Sequence, residues 1–349
     1  MESPTITQAI EKYLKSVQDA RSRNTARAYA NAMAVFHKAL REHGVDPDHS
    51  PVSSLTEDAA AWLASFLKEY SPATEQLYLA ATSGLYEFLA ADKLAEINLP
   101  RLRLLMRQRA RRPGQRLPQF PREDIERVLE FVNIITKPLS DTSTEDGKQK
   151  VEGGHENEIL RALRDRAFII TLADTGLRVH EACSLRRGDL DWNEGRAIII
   201  GKGDKQAVVR FSSRAMRALK DYLAARAALD GNTGRPLPSL PLFARHDKGA
   251  GKKIKPMTTT TGRNIVAERV RQALGEEADP STGSGQAACI TPHSFRHYFV
   301  TTVLRASGNL KLAQELARHA SITVTQRYAH LSDDELDKGY HEIFEADIP

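Results

Sequence analysis

Residues 291–330 read TPHSFRHYFVTTVLRASGNLKLAQELARHASITVTQRYAH. Thr291 and Pro292 open a helix, because threonine caps free backbone N–H groups and proline fits a first turn. His293 and Arg296 then fall at i and i+3 on one face, near the positive end of the helix dipole. His319 follows, and then Tyr328 with His330 close behind. Together they can form an anion-binding site that carries its own nucleophile. Tyrosine seldom attacks. It needs clustered cations to stabilise its phenolate, and an electrophile such as a phosphodiester that the same cations bind. A bare His-x-x-Arg is common by chance, so the reading turns on what lies upstream.

Upstream, DTGLR at 174–178 closes an apolar helix expected at 160–174 and opens another at 179–185. Arg178 between two buried helices needs a partner, since an unpaired buried charge is costly. Glu181 is the nearest. Two readings stay open on the residues alone: a structural ion pair, or an arginine oriented by Glu181 and aimed at phosphate. Next come two β-rich runs, 196–201 and 206–211, separated by Lys202-Gly203-Asp204-Lys205. That is a hairpin pattern. A lysine on its tip is either a solvated turn residue or a proton donor to a leaving oxygen.

Composition sets the frame. A chain of 349 residues with 41% hydrophobic and 27% charged residues is expected to be globular and to hold two domains. No apolar run is long enough to span a bilayer, and the first residues carry acids where a secretory signal needs an apolar core. Cys183 and Cys289 have no CxxC partner, which speaks against a disulfide framework or a zinc site. Net charge is +5 with a pI near 9.1. The distribution says more than the total. Between 101 and 116 stand Arg101, Arg103, Arg107, Arg109, Arg111, Arg112 and Arg116 without one acid, a grouping suited to phosphate.

Periodicity organises the rest. Residues 1–100 read as a helical bundle, with Ile6, Ile10, Tyr13, Leu14 and Val17 at helical spacing. Further helices are expected at 25–40 (capped by Asn24 or Thr25), 57–70 and 74–90. The arginine run reads as a linker over 101–117, followed by a second domain over 118–349. This opens with a helix at 122–131 and carries others at 214–229 and 264–274. Polar stretches at 138–157 and 275–289 read as loop insertions, with disorder the expectation for both.

TGLRVHEACSL (175–185), IIIGKGDK (198–205), TPHSFRH (291–297) and LARHASITVTQRYAH (316–330), in this order and spacing, resemble the tyrosine recombinase, or phage integrase, family. RSRNTARAYANAMAVFHKAL (21–40) resembles that family's SAM-like core-binding domain. The fold so implied is a mainly α, SAM-like N-terminal bundle. An α+β catalytic domain follows, mostly helical with a small antiparallel sheet. Arg178 and Arg296 would grip the scissile phosphate, and Glu181 would support them. Lys202, with Lys205 as second choice, would protonate the 5′-hydroxyl. His293 would assist proton transfer at Tyr328, and His319 would hold the phosphate. Tyr328 would attack to give a 3′-phosphotyrosyl intermediate, with no ATP, cofactor or metal. The implied partner is double-stranded DNA carrying a specific site. Arg21, Arg23, Thr25, Arg27, Arg107, Arg109, Arg111 and Arg112 are its expected contacts. A homotetramer on DNA, joined through a C-terminal helix near 332–344, and a cytoplasmic location, nucleoid-associated if the source is bacterial, are also implied.

One departure stands out: Arg318 occupies a position that is usually glycine in the family. It either adds a phosphate contact or shifts a helix end. Tyr340 lacks the preceding His-Ala-Ser context and reads as a packing residue. His297 and His330 are expected to pack or cap, and Trp62 and Trp192 to sit in cores. The competing functions are relaxation of DNA in the manner of a type IB topoisomerase and non-catalytic DNA binding on the same scaffold. The sequence does not decide between an integrase of a mobile element, an Xer-type chromosome-dimer resolvase and another specialised recombinase, though the two insertions weigh slightly against a minimal Xer protein.

Overall fold

The structure is a computed structural model describing residues 3–111, 121–136, 153–200, 206–247, 253–275, 290–326 and 328. The chain divides into two compact units, Met1–Gln115 and Arg116–Pro349.

The first unit is helical. α1 (Ile6–Ala20) and α2 (Arg23–Glu42) are followed by α3 (Asp58–Phe66), α4 (Pro72–Ala91) and α5 (Leu99–Arg109). Each apolar stripe turns inward, and Ile6, Phe36, Leu63, Leu85 and Tyr86 are fully buried. α2 starts earlier than its apolar pattern does. Ser22, not Asn24 or Thr25, is its cap, accepting from the Thr25 N–H at 3.3 Å. Trp62 lies at the core's edge, stacked on His43 with centroids 4.6 Å apart. The arginine run differs from the expected linker. Residues 99–109 are helix, capped by Asn98 and anchored by the buried Leu102 with Met106 beside it. Two apolar side chains one helical turn apart outweigh the polarity of the run.

The second unit is built around α7 (Gly153–Thr175), which follows α6 (Arg122–Ile134). Residues 153–157 therefore belong to a helix and not to a loop insertion. α8 (Val179–Ser184) leads to a three-stranded antiparallel sheet of β1 (Leu190–Asp191), β2 (Arg196–Ile200) and β3 (Gln206–Arg210), in that order. Ala197 pairs with Val209 and Ile199 with Ala207. Ala197, Ile199 and Val209 turn into the core, while Ile198, Ile200 and Val208 stand out on the other face. The expected helix at 214–229 is two, α9 (Ser213–Ala225) and α10 (Ala227–Gly231), with the break at Arg226. Arg226 is fully buried, ion-paired with Asp230 and hydrogen-bonded to Tyr222 and to the Pro241 and Leu242 carbonyls.

α11 (Thr259–Leu274) packs on α7 and α8 through Gly262. A Cβ there would come within 2.9 Å of both Phe168 and Val179, so the approach depends on glycine. α12 (Pro292–Ser307), α13 (Leu310–Ala317) and α14 (Ile322–Gln326) complete the described residues. Trp192 packs partly buried against this core. Among the described residues no helix is long and apolar enough to cross a membrane.

Candidate active site

The site is assembled by helix ends. α7 stops at Gly176, whose φ of +60° suits glycine and whose missing side chain makes room for the Phe299 ring. The turn delivers Arg178 as the cap of α8. Its backbone N–H donates to Glu181 Oε2 at 2.8 Å and its Nη1 to Oε1 at 2.9 Å. The ion pair expected from the i, i+3 spacing is present, but Arg178 is not buried. Its side chain is 46% exposed while that of Glu181 is 3% exposed, so the carboxylate is the fixed element and the guanidinium faces outward. Burial pushes the Glu181 carboxyl up, but the hydrogen bonds and charges of Arg178 and Arg318 win and hold it below its usual range.

α12 begins as its sequence predicts, with Thr291 at the cap and Pro292 in the first turn. The Ser294 hydroxyl accepts from the Thr291 N–H at 3.1 Å. Arg296 is nearly fully buried. Its Nη1 donates to the Gly176 carbonyl and its Nη2 to the Ala317 carbonyl. One guanidinium thus joins the end of α7 to the end of α13. Burial first, then the neighbouring Arg178 and Arg318, lower its pKa to about 10, so it stays charged at neutral pH.

Two histidines meet Tyr328. His319 lies almost parallel to the phenol ring with centroids 6.4 Å apart, and its Nδ1 is 2.8 Å from the buried Thr325 hydroxyl. The Tyr328 hydroxyl itself is hydrogen-bonded to Nδ1 of His297. His297 in turn packs edge-on against His293, centroids 4.3 Å apart. Burial, followed by nearby positive groups, pulls His297 and His319 down to about 4. His293 keeps an exposed face but is lowered too, by desolvation, then Arg296, then Arg178. All three rings are neutral in the free protein at pH 7 and able to accept protons.

His297 is the residue the sequence reading set aside. Its signal was available, since it stands four residues after His293 and shares that helix face. Arg318 ends α13 in the left-handed region, φ +57°, and its Nη2 donates to Glu181 Oε2 at 3.1 Å. Neither expectation for this residue anticipated that contact.

Two open clefts flank the cluster. One of about 1150 Å³ is lined by Arg178, Glu181, Arg318 and His319 and by Ile199, Gln206, Val208 and Arg210 of the hairpin. The other, about 580 Å³, is lined by Arg178, His293 and Arg296 with Arg263 and Asn264 of α11. Lys202 and Lys205 lie outside the described residues, as do Arg112, His330, Tyr340, the stretch 332–344 and nearly all of both polar insertions.

In the first unit, Arg21, Arg23 and Arg27 are exposed where α1 meets α2, and Thr25 is half-buried. Arg23 and Arg27 border a cleft of about 710 Å³ with Gln18 and Asn24. Arg107 and Arg109 are exposed on α5. Arg111 is committed inside the unit, to Glu75 and to the Leu67 and Tyr70 carbonyls.

Residues 155–335 match the Phage integrase family, and residues 10–93 its N-terminal SAM-like domain. Tyrosine recombinase XerC of Bacillus pumilus is 29% identical over 317 residues, 90% of this chain and 88% of that protein. XerC of Bacillus licheniformis is 31% identical over 264 residues, 75% of this chain and 71% of its own length. The fold is similar to that of the XerH site-specific recombinase in a post-cleavage complex with its palindromic difH substrate. There the TM-score is 0.63 at 20% identity, over 95% of this chain and 83% of that one. The family match spans Arg178, Glu181, the histidines, Arg296 and Tyr328, and the chain belongs to the phage integrase family, the tyrosine recombinases.

Proposed function

We propose that the protein is a site-specific DNA recombinase that cuts one strand at a time with Tyr328. One observation carries the reading: Arg178, Arg296, His293, His297 and His319 form one cluster with Tyr328, whose hydroxyl bonds to His297, and among the described residues the carboxylate facing the arginines is that of Glu181. Such a surplus of cations and donors suits a phosphate whose charge grows in the transition state. Arg178, fixed from behind by Glu181, grips one non-bridging oxygen, and Arg296 stabilises the same phosphate from α12. His319, with Nδ1 on Thr325, offers Nε2. The Tyr328 oxygen attacks phosphorus, the P–O5′ bond breaks, and a 3′-phosphotyrosyl link forms. The phenolic proton has its first acceptor in His297, with His293 packed behind it.

Lys202, two residues after Ile200 in the sequence, supplies the proton to the departing 5′-oxygen. The flank of the β2–β3 hairpin lines the cleft that holds Arg178 and His319. Energy is kept in the phosphotyrosyl bond, and a second 5′-hydroxyl reverses the step on a partner strand.

The partner is double-stranded DNA. Its backbone is met by Arg21, Arg23, Thr25 and Arg27 at the α1–α2 junction and by Arg107, Arg109 and Arg112, while Arg111 is held inside the unit by Glu75. Strand exchange between two duplexes calls for a homotetramer, assembled through residues 332–344. XerC relatives favour resolution of an Xer-type site over integration of a mobile element.

A nicked suicide substrate tests the central step, because the cut fragment diffuses away and traps the intermediate. A protein–DNA band that survives denaturation is expected, lost in Tyr328→Phe and kept in Tyr340→Phe. A band that persists in Tyr328→Phe sinks the assignment.

A further inference from the structure

Arg318 sits where a side chain is disfavoured and is used by nothing in the mechanism above. Its φ of +57° and ψ of 45° lie in the left-handed region, which glycine enters freely and other residues resist. A helix stop alone would be served by glycine. The side chain instead runs inward, 12% exposed, to a carboxylate that is 3% exposed. Its Nε and Nη1 are buried without a hydrogen-bond partner among the described residues. The contact with Glu181 is thus what the guanidinium gains from a burial that is otherwise unfavourable.

Glu181 divides its two oxygens. Oε1 takes the Arg178 guanidinium, and Oε2 takes the Arg178 backbone N–H and Arg318 Nη2. The exposures separate the two arginines: the Arg178 side chain is 46% exposed, while that of Arg318 is 12% exposed at the wall of the same cleft. Arg178 is therefore placed to touch DNA, and Arg318 to act chiefly through Glu181. Arg318 also immediately precedes His319, so the contact ties the end of α13 to the start of α8. We propose that Arg318 is a positioning residue, which locks Glu181 so that Arg178 and His319 hold the scissile phosphate in one fixed geometry. This rests on the recombinase reading and deepens it.

Glu181 is bonded to Arg178 and Arg318 and also feels the charge of Arg296, while His180 and Glu315 line the same cleft. Removing one of the two cations bonded to it lets the carboxylate protonate at higher pH, so the acid limb of the cleavage rate should move upward.

The experiment follows formation of the covalent Tyr328–DNA complex in single turnovers, against pH, beside DNA affinity and melting temperature. Arg318→Gly should remain folded, since its backbone prefers this conformation, and should bind DNA within about twofold of the parent. Its covalent complex should form about tenfold more slowly or worse, with the acid limb displaced to higher pH. Arg318→Lys should recover much of the rate. In a Glu181→Gln background, Arg318→Gly should slow cleavage little further.

A glycine variant that cleaves at the parent rate with an unmoved limb overturns the proposal. So does one whose DNA affinity falls as far as its rate, which would make Arg318 a phosphate ligand. An undiminished effect in Glu181→Gln overturns it too. A parent protein that forms no complex at all sinks the recombinase reading and this proposal together. A parent that cleaves while the glycine variant equals it sinks this proposal alone.

Discussion

Helix α5 and the Glu181 cluster both gather arginine, and they treat it in opposite ways. Along α5 and just beyond it, Arg101 pairs with Glu57 and Asp58, Arg103 with Glu87, and Arg111 with Glu75. Each of these cations has at least one carboxylate of its own. In the second unit Arg178 and Arg318 share Glu181, and among the described residues Arg296 is hydrogen-bonded to the Gly176 and Ala317 carbonyls and to no carboxylate. Neutral carbonyls orient a guanidinium but leave its charge in place. Three histidines nearby are held neutral by burial first and by the same charges second, so they add no positive charge of their own. Density of arginine in a sequence is therefore a weaker sign of a phosphate site than a shortage of carboxylates in space.

The sharpest way to break this contrast is to remove one cation from each region. Arg296→Ala should cut formation of the covalent complex by about 10²–10³-fold, comparable to deleting a donor from an oxyanion hole. Arg101→Ala, assayed the same way, should leave the rate per folded molecule unchanged. Equal losses would show that the two regions do not differ in kind.

The second prediction inverts the roles. Glu75 is fully buried, and its carboxyl is held low despite desolvation by the Arg111 backbone and side chain and by Lys68. Arg111→Ala leaves that charge with Lys68 and the backbone N–H of residue 111. The expected cost is about 3 kcal/mol, the lower end for breaking a buried pair. A lowered denaturation midpoint with normal cleavage by the protein still folded is the result to look for.

Some of this pattern was legible in the sequence and some was not, and the difference follows the range of the interactions. The start of α12, the His293–Arg296 face, the Arg178–Glu181 pair and the β2–β3 hairpin all rest on neighbours a few residues apart. Their spacing alone carries the information. The cap of α2 was misplaced because Thr25 resembles a cap, while Ser22 makes the bond. The helix through 99–109 was hidden because its arginines mask Leu102 and Met106. β1 is two residues long, too short for alternation to register.

The contacts that complete the site are all distant in the chain: Arg296 with Gly176, His297 with Tyr328, and Arg318 with Glu181. They depend on how helix ends meet, and no local periodicity encodes that. The recurring motifs gave the family, but they were silent on Arg318, where this chain departs from the pattern.

The smallest predicted effect lies inside α5 and sharpens the comparison most. Arg103 is paired with Glu87 at 3.5 Å, both side chains more than half exposed. Arg107 and Arg109 are exposed too, yet neither guanidinium has an ion-pair partner among the described residues. An arginine that binds a DNA phosphate displaces counterions from the duplex. One that must first leave a carboxylate brings a repelling anion with it. Arg107→Ala and Arg109→Ala should each weaken binding by a similar factor on every DNA sequence tried. Each should also flatten the dependence of log affinity on log salt by about one unit of slope. Arg103→Ala should move that slope by much less, and its cost in stability should stay below about 1 kcal/mol, as for an exposed pair. Titrations at several salt concentrations separate these cases. If Arg103→Ala flattens the slope as much as Arg107→Ala, then pairing with carboxylates does not decide which arginines meet DNA. The carboxylate deficit around Tyr328 would then lose its standing as the mark of the site.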